Sequence, residues 1–202
     1  MLIRFSKATL FILFFLVFLS GNLSAQKKLA DYPIQFRVWS GYSFNSVYFL
    51  GKTTNAKSAI VGIGFKTPIR KYGSDVLLYY TTDLIPYIYF DYPKRDDNDR
   101  PTERQGLGIS PIGFLLEKKI NSFLSYELSV SGSFILIDDE FPTDNGRKLN
   151  FTFDPSFALQ ANLSESVNLS GGYKFHHISN AQTGKENPGL DSNFLFLSIT
   201  IK

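Results

Sequence analysis

The 202-residue chain has no cysteine, one methionine, one tryptophan and only two histidines. Without cysteine there is no disulfide framework, no thiolate metal site and no thiol nucleophile. An excess of one charge is also lacking: the formal net charge is +3, and without Arg4 and Lys7 the balance is 21 − 2 = 19 basic against 18 acidic residues. That balance gives no reason to expect nucleic acid as a partner. Beyond residue 25 no stretch stays apolar for the roughly 20 residues that a membrane-spanning helix needs. Helical periodicity is weak throughout.

What the first 25 residues do have is the layout of a secretory signal: Arg4 and Lys7, an apolar run from Ala8 to Leu19, then Leu23-Ser24-Ala25. The expectation is that residues 1–25 are removed on export. Residues 26–202 then form a single domain, and no cysteine follows the cut to carry a lipoprotein anchor.

Period-two alternation dominates that domain. Phe151, Phe153, Phe157 and Leu159 alternate with Thr152, Asp154, Ser156 and Gln160; Tyr126, Leu128, Val130, Phe134 and Leu136 alternate with Glu127, Ser129, Ser131 and Ser133. Eight segments of this kind are predicted, near 34–43, 57–66, 74–89, 104–116, 121–136, 148–161, 165–179 and 191–201. Many reach the roughly 9–11 residues of a strand that crosses a bilayer at a tilt. Three connections are short (TPIRKYG, EKKIN and a turn at 162–164), whereas four are longer and taken as polar, among them DYPKRDDNDRPTER and DDEFPTDNGR. Short turns on one side and long loops on the other predict an all-β fold, an eight-stranded antiparallel transmembrane barrel of outer-membrane type with its short turns in the periplasm. The 20 phenylalanines and 11 tyrosines suit the aromatic girdles of such a barrel. A secreted soluble barrel with an apolar ligand cavity remains the rival, because alternation does not say which face is outside.

The stretch FHHISNAQTGKENPGLDSNF, residues 175–194, holds both histidines. In its strand the apolar side chains stand at odd positions (Val167, Leu169, Tyr173, Phe175), so His177 and Ser179 continue the lipid-facing row and His176 falls inside. In the next segment Asp191 begins the same outward row, and a loop over 180–190 would set Ser179 across from it with His177 diagonal. A hydroxyl, an imidazole and a carboxylate on one face are the parts of nucleophilic catalysis: the imidazole takes the serine proton and the carboxylate fixes its tautomer. Asn180, beside the serine, is an oxyanion donor candidate. The opposing reading is ordinary loop polarity around an Asn187-Pro188-Gly189 turn. Elsewhere, Lys94, Arg95, Arg100 and Arg104 are a solvated loop or contacts for lipopolysaccharide phosphates. Asp138, Asp139 and Glu140 could bind a divalent cation, but the cluster has no defined metal-site spacing.

At His177-Ile178-Ser179-Asn180-Ala181, followed by Asn187-Pro188-Gly189-Leu190-Asp191, the sequence resembles the lipid A 3-O-deacylases, the PagL-type acyloxyacyl hydrolases. The resemblance implies an eight-stranded outer-membrane barrel with Ser179 as nucleophile, His177 as base, Asp191 as the acid twelve positions on, and Asn180 near the oxyanion. The best-characterised members have glutamate where this chain has Asp191. It further implies a serine-type ester hydrolase acting on a 3-hydroxyacyl chain of lipid A in the outer membrane, with its site toward the outer leaflet and with no metal or cofactor. Two alternatives stay open: a non-catalytic membrane barrel, structural or adhesin-like, and the soluble lipocalin-like binding barrel. Oligomeric state is not specified by any of these features.

Overall fold

The computed structural model describes residues 33–94 and 100–202. The expected export signal, residues 1–25, and Arg95 lie outside the described residues. The chain forms strands β1 (Gln35–Ser43), β2 (Ser46–Val47), β3 (Lys57–Tyr72), β4 (Val76–Pro93), β5 (Pro101–Lys119), β6 (Leu124–Phe141), β7 (Arg147–Asn162), β8 (Val167–Ser179) and β9 (Leu190–Ile201). Neighbours pair antiparallel in chain order from β3 to β9, and β1 pairs with both β3 and β9. The sheet is therefore a closed eight-stranded barrel. The two-residue β2 is a short extra pairing onto the start of β9.

Six of the eight long strands run past the expected limits, β1 and β8 being the exceptions. The stretch taken as a connection at 67–73 is mostly strand, since Thr67–Tyr72 pairs with β4 and the turn is confined to 73–75. Likewise much of DYPKRDDNDRPTER is ladder: Asp91 pairs with Glu103 and Pro93 with Pro101. Polar composition mimics a loop there because the strands leave the apolar band while their backbone pairing continues. A strand of 18 residues such as β4 spans about 60 Å at 3.3 Å per residue, well beyond a hydrocarbon core of about 30 Å even when tilted. Prolines that would interrupt a ladder sit where it is already broken: Pro86 and Pro111 fall within register shifts and Pro68 borders one.

Parity sorts the side chains as the alternation predicts. On the outer wall Val38, Phe65, Leu107, Leu128, Phe134, Phe157, Leu159, Leu195, Leu197 and Ile199 are exposed. Inside, charged groups are buried in pairs. At the end with the short turns Lys66 Nζ donates to Glu127 Oε1 (3.1 Å), Glu117 Oε2 (3.4 Å) and Gln160 Oε1 (3.2 Å). At mid-height Arg37 pairs with Asp83, Trp39 Nε1 donates to Asp83, and Lys174 Nζ stands 3.6 Å above the Trp39 ring. Between these groups lies a cavity of about 30 Å³ lined by Arg37, Lys66, Lys174, Glu127 and several hydroxyls, room for about two waters. An apolar exterior around a charged interior is the reverse of a soluble ligand-binding barrel, and that alternative is discarded.

One part of the interior departs from the expected polar lining. At the loop end Ile60, Ile88, Phe90, Tyr92, Ile135, Ile137, Phe141, Ile178 and Phe194 form a buried apolar plug. There both parities of β6 are apolar, Phe134 and Leu136 outward and Ile135 and Ile137 inward. The plug gives β8 and β9 a packed backing directly behind the candidate site.

A charge on the outer wall should be costly. Leu197→Arg, mid-strand and 63% exposed, is expected to lower stability in a bilayer by about 2–4 kcal/mol if it lies near the midplane. Urea titration of vesicle-embedded protein, followed by heat-modifiable gel mobility, measures this.

Candidate active site

The last hairpin is built around a ten-residue connection, 180–189, one residue shorter than expected. It closes on Asn187-Pro188-Gly189, and Gly189 has φ +63°, a left-handed conformation that glycine adopts without strain. Because β9 begins at Leu190, the register shifts from the expected one: His177 lies directly opposite Asp191, and Ser179 is the diagonal neighbour. Direct opposition brings the two together, with His177 Nδ1 2.6 Å from Asp191 Oδ1. Nε2 is left as the ring nitrogen facing other partners. Ser179 projects from the same face, about 6.6 Å further along β8 by the rise of a strand, and is half-buried. The imidazole is 17% exposed while the carboxylate is completely covered.

What covers Asp191 is the chain's first loop. The backbone N–H groups of Phe49 (3.2 Å), Leu50 (2.6 Å) and Gly51 (2.7 Å) all donate to Asp191 Oδ2. With His177 on Oδ1, the carboxylate has four donors, a full complement for an ionised acid. Lys52 N–H donates to Pro188 O and Thr53 N–H to Gly189 O, so the segment is laced along the hairpin. Gly51 has no room for a side chain, because a Cβ there would stand 2.7 Å from the Leu190 nitrogen.

Asn180 is drawn into the loop. Its Nδ2 donates to Glu186 O (2.7 Å), its backbone N–H to Asn187 Oδ1 (2.9 Å), and its carbonyl accepts from Thr183. The side chain is fully buried. His176, on the inner face, pairs through Nδ1 with Asp154 Oδ1 (2.5 Å) between the rings of Phe90 and Phe194. Thr152 Oγ1 donates to the other oxygen of Asp154. The wall of the barrel therefore separates the two histidines.

This outward His–Asp pair with a neighbouring serine lies within a longer match to a known family: residues 40–200 fit the model of the lipid A 3-O-deacylases (PagL). The chain belongs to the PagL family. Its fold is similar to the crystal structure of the outer membrane enzyme PagL, at 15% identity and a TM-score of 0.58, covering 82% of this chain and 98% of that one. It is also similar to Neisserial surface protein A, at 12% identity and a TM-score of 0.53, covering 84% of this chain and 96% of the other. Among curated proteins none matches the sequence significantly.

Several of the other candidates of this PagL-family chain are engaged elsewhere. Asp139 is paired with Arg104 (2.9 Å), with Lys148 3.9 Å away, and Lys148 Nζ donates to the Asp138 carbonyl (2.9 Å). Lys94 is paired with Asp144. Two other polar groups near the site, Asn193 and Glu186, do not reach the imidazole: Asn193 Oδ1 accepts from Tyr173 and Glu186 Oε1 faces Asn145.

The segment Phe49-Leu50-Gly51 is the feature that sequence reasoning missed. The alternation of loop lengths predicts four polar long connections, yet the first contains Phe44, Val47, Tyr48, Phe49 and Leu50. An apolar run ending in glycine where a loop was expected was the available signal. The amides of Phe49 and Leu50 are accordingly expected to resist solvent exchange in the native protein. Gly51→Ala should speed their exchange about tenfold, the equivalent of losing roughly 1.4 kcal/mol of a charge-assisted hydrogen bond, while amides of the barrel strands are unaffected. Native-state hydrogen exchange checks both.

Proposed function

We propose that this chain is an outer-membrane esterase that hydrolyses an ester-linked 3-hydroxyacyl chain of lipid A, with its site toward the outer leaflet. The observation that carries the reading is the 2.6 Å His177–Asp191 pair, set on the outer wall beside Ser179 in a chain of the lipid A 3-O-deacylase family. An outward-facing site suits a substrate that arrives laterally, since lipid A lies in the leaflet beside the wall rather than in the barrel. Export after removal of residues 1–25, leaving 26–202 as the mature barrel, is part of the proposal.

The chemistry follows from the parts. Ser179 Oγ attacks the ester carbonyl carbon as its proton passes to His177 Nε2, and the carbonyl π electrons move onto oxygen. Collapse of that oxyanion breaks the bond to the sugar oxygen, which leaves with the proton from His177. The acyl group is then on Ser179. Water, deprotonated by His177, attacks the acyl carbon, and its collapse returns the proton to Ser179 and releases the hydroxy fatty acid. Asp191 keeps the proton of neutral His177 on Nδ1 and stabilises the imidazolium formed in each half. Asn180 enters with two parts: its amide holds the loop that follows Ser179, and donation to the oxyanion would require that amide to turn away from Glu186.

Ser179→Ala and His177→Ala should each abolish the loss of one 3-hydroxyacyl chain from lipid A, read as a mass difference in lipid A from cells with and without the gene. His176→Ala should instead strip the buried Asp154 carboxylate of its imidazole partner and lower stability more than turnover. Unchanged lipid A in cells carrying the native gene would favour a non-catalytic barrel.

Asp191→Asn is expected to be far more damaging than its shape suggests. Three backbone donors converge on the position of Oδ2, so they will capture the amide oxygen and turn the NH2 toward His177. The NH2 can only donate, which forces the imidazole proton onto Nε2 and leaves nothing there to accept the serine proton. Turnover should fall by up to about 10⁴ with the barrel intact, as for the same change in other serine hydrolases. Nitrogen NMR of the His177 ring should show the reversed tautomer.

A further inference from the structure

The first loop combines two properties that are seldom found together. Its side chains are apolar and open, Tyr48 at 68%, Phe49 at 68% and Leu50 at 48% exposure, with Phe44 at 70% nearby. Its backbone, by contrast, has its donors occupied: the N–H groups of five successive residues, 49 to 53, are all bonded, three to Asp191 and two to carbonyls of the 188–189 turn. A loop in water has no need of this, since water satisfies stray N–H groups. A loop entering the apolar boundary of a bilayer does need it, because unsatisfied backbone groups there cost several kcal/mol each. The exposed patch also continues the lipid-facing wall: Tyr42 packs against Phe44, Phe49 packs edge-on against Phe175 of β8, and Leu195 and Leu197 extend the apolar surface along β9.

We propose that Tyr48, Phe49 and Leu50 are seated in the headgroup–acyl boundary of the outer leaflet, and that this seating holds their backbone amides on Asp191. The occupant of the patch is lipid, by its continuity with the barrel's own apolar band. Phe49, Leu50 and Gly51 are positioning residues: they act on the histidine only through the carboxylate that they grip. The consequence for turnover rests on the role proposed for His177 and Asp191, whereas the seating and its effect on the grip do not.

The test uses the full barrel folded into phosphatidylcholine vesicles. A Leu50→Trp variant reports the environment of the loop, read as the difference from the parent, whose single Trp39 is buried within the barrel. In vesicles of phosphatidylcholine brominated on its acyl chains near the headgroup, the added emission should fall about twofold or more relative to unbrominated vesicles, since interfacial side chains sit roughly 5–10 Å into that boundary. Emission that is solvent-like and insensitive to bromine overturns the proposal. So does blue-shifted emission that ignores bromine but follows protein density in the vesicle, which would mean that a second copy of the chain covers the patch.

The second arm is a triple variant, Tyr48→Ser with Phe49→Ser and Leu50→Ser, whose barrel is verified by heat-modifiable mobility. Its Gly51 amide should exchange about tenfold faster than in the parent in the same vesicles. Unchanged protection at Gly51 overturns the link between seating and grip. If the enzyme reading were wrong, lipid A would be unchanged by the native gene while both of these results still held. If only the present proposal were wrong, lipid A would be trimmed and they would fail.

Discussion

Seven backbone pairs between β1 and β9, from Phe36 with Ile201 to Tyr42 with Leu195, leave the long strands of the sheet without an edge. Hydrocarbon offers nothing to an unpaired strand, so a membrane barrel exists only if such a seam closes. The same seam carries the loop after β1 round to the hairpin before β9, bringing Gly51 onto Asp191 across 140 positions of sequence. The grip on the carboxylate is therefore a product of closure: opening the β1–β9 ladder would remove three of the four donors on Asp191 along with the barrel.

Behind that wall the interior is divided. Ions occupy the turn end and the middle, where Lys66 meets two glutamates and Arg37 meets Asp83. Buried charges of this kind contribute little net stability, but removing one partner strands the other at a cost of about 3–5 kcal/mol. The loop end is instead packed with isoleucine and phenylalanine, which tolerate no water and little movement. That end backs His177 and Asp191. A paired His–Asp geometry good to a few tenths of an ångström needs such a support, because the strand that carries it has solvent or lipid on its other side.

Most of this was legible in the chain. Eight alternating segments, an outward row containing His177, Ser179 and Asp191, and an inward His176 all follow from period two, which the barrel obeys over nearly its whole length. Period two says nothing where both rows are apolar, and so the plug around Ile135 and Ile137 was invisible. Nor does it fix register between strands. A two-residue shift of register, which keeps every side chain on its face, decides whether Asp191 lies across from Ser179 or His177, and only the pairing of Leu190 with Ile178 after the left-handed Gly189 settles it. The loop after β1 was out of reach for another reason: its contribution comes from backbone amides, which every residue has and no side-chain pattern marks. Direct opposition also bears on the acid itself, since a carboxylate one methylene shorter than glutamate reaches the ring when the two residues are cross-strand partners.

His176 and His177 are consecutive, each holds an aspartate through Nδ1 at nearly the same distance, and they differ only in the face on which they stand. Inside, Asp154 and two phenylalanine rings enclose the imidazole, and its Nε2 has no partner. No ester could approach it without opening the barrel. Outside, the same dyad has its carboxylate covered by backbone and its ring partly exposed on the face that Ser179 shares. The chemistry available to a histidine–aspartate pair is thus set less by the pair than by the parity of its position, because parity decides whether the free nitrogen meets packed phenylalanine or a face that lipid can reach. A single-residue slip of β8 would exchange the two environments and place the serine inward, so the strand's register is as much a part of the proposed active site as the three side chains.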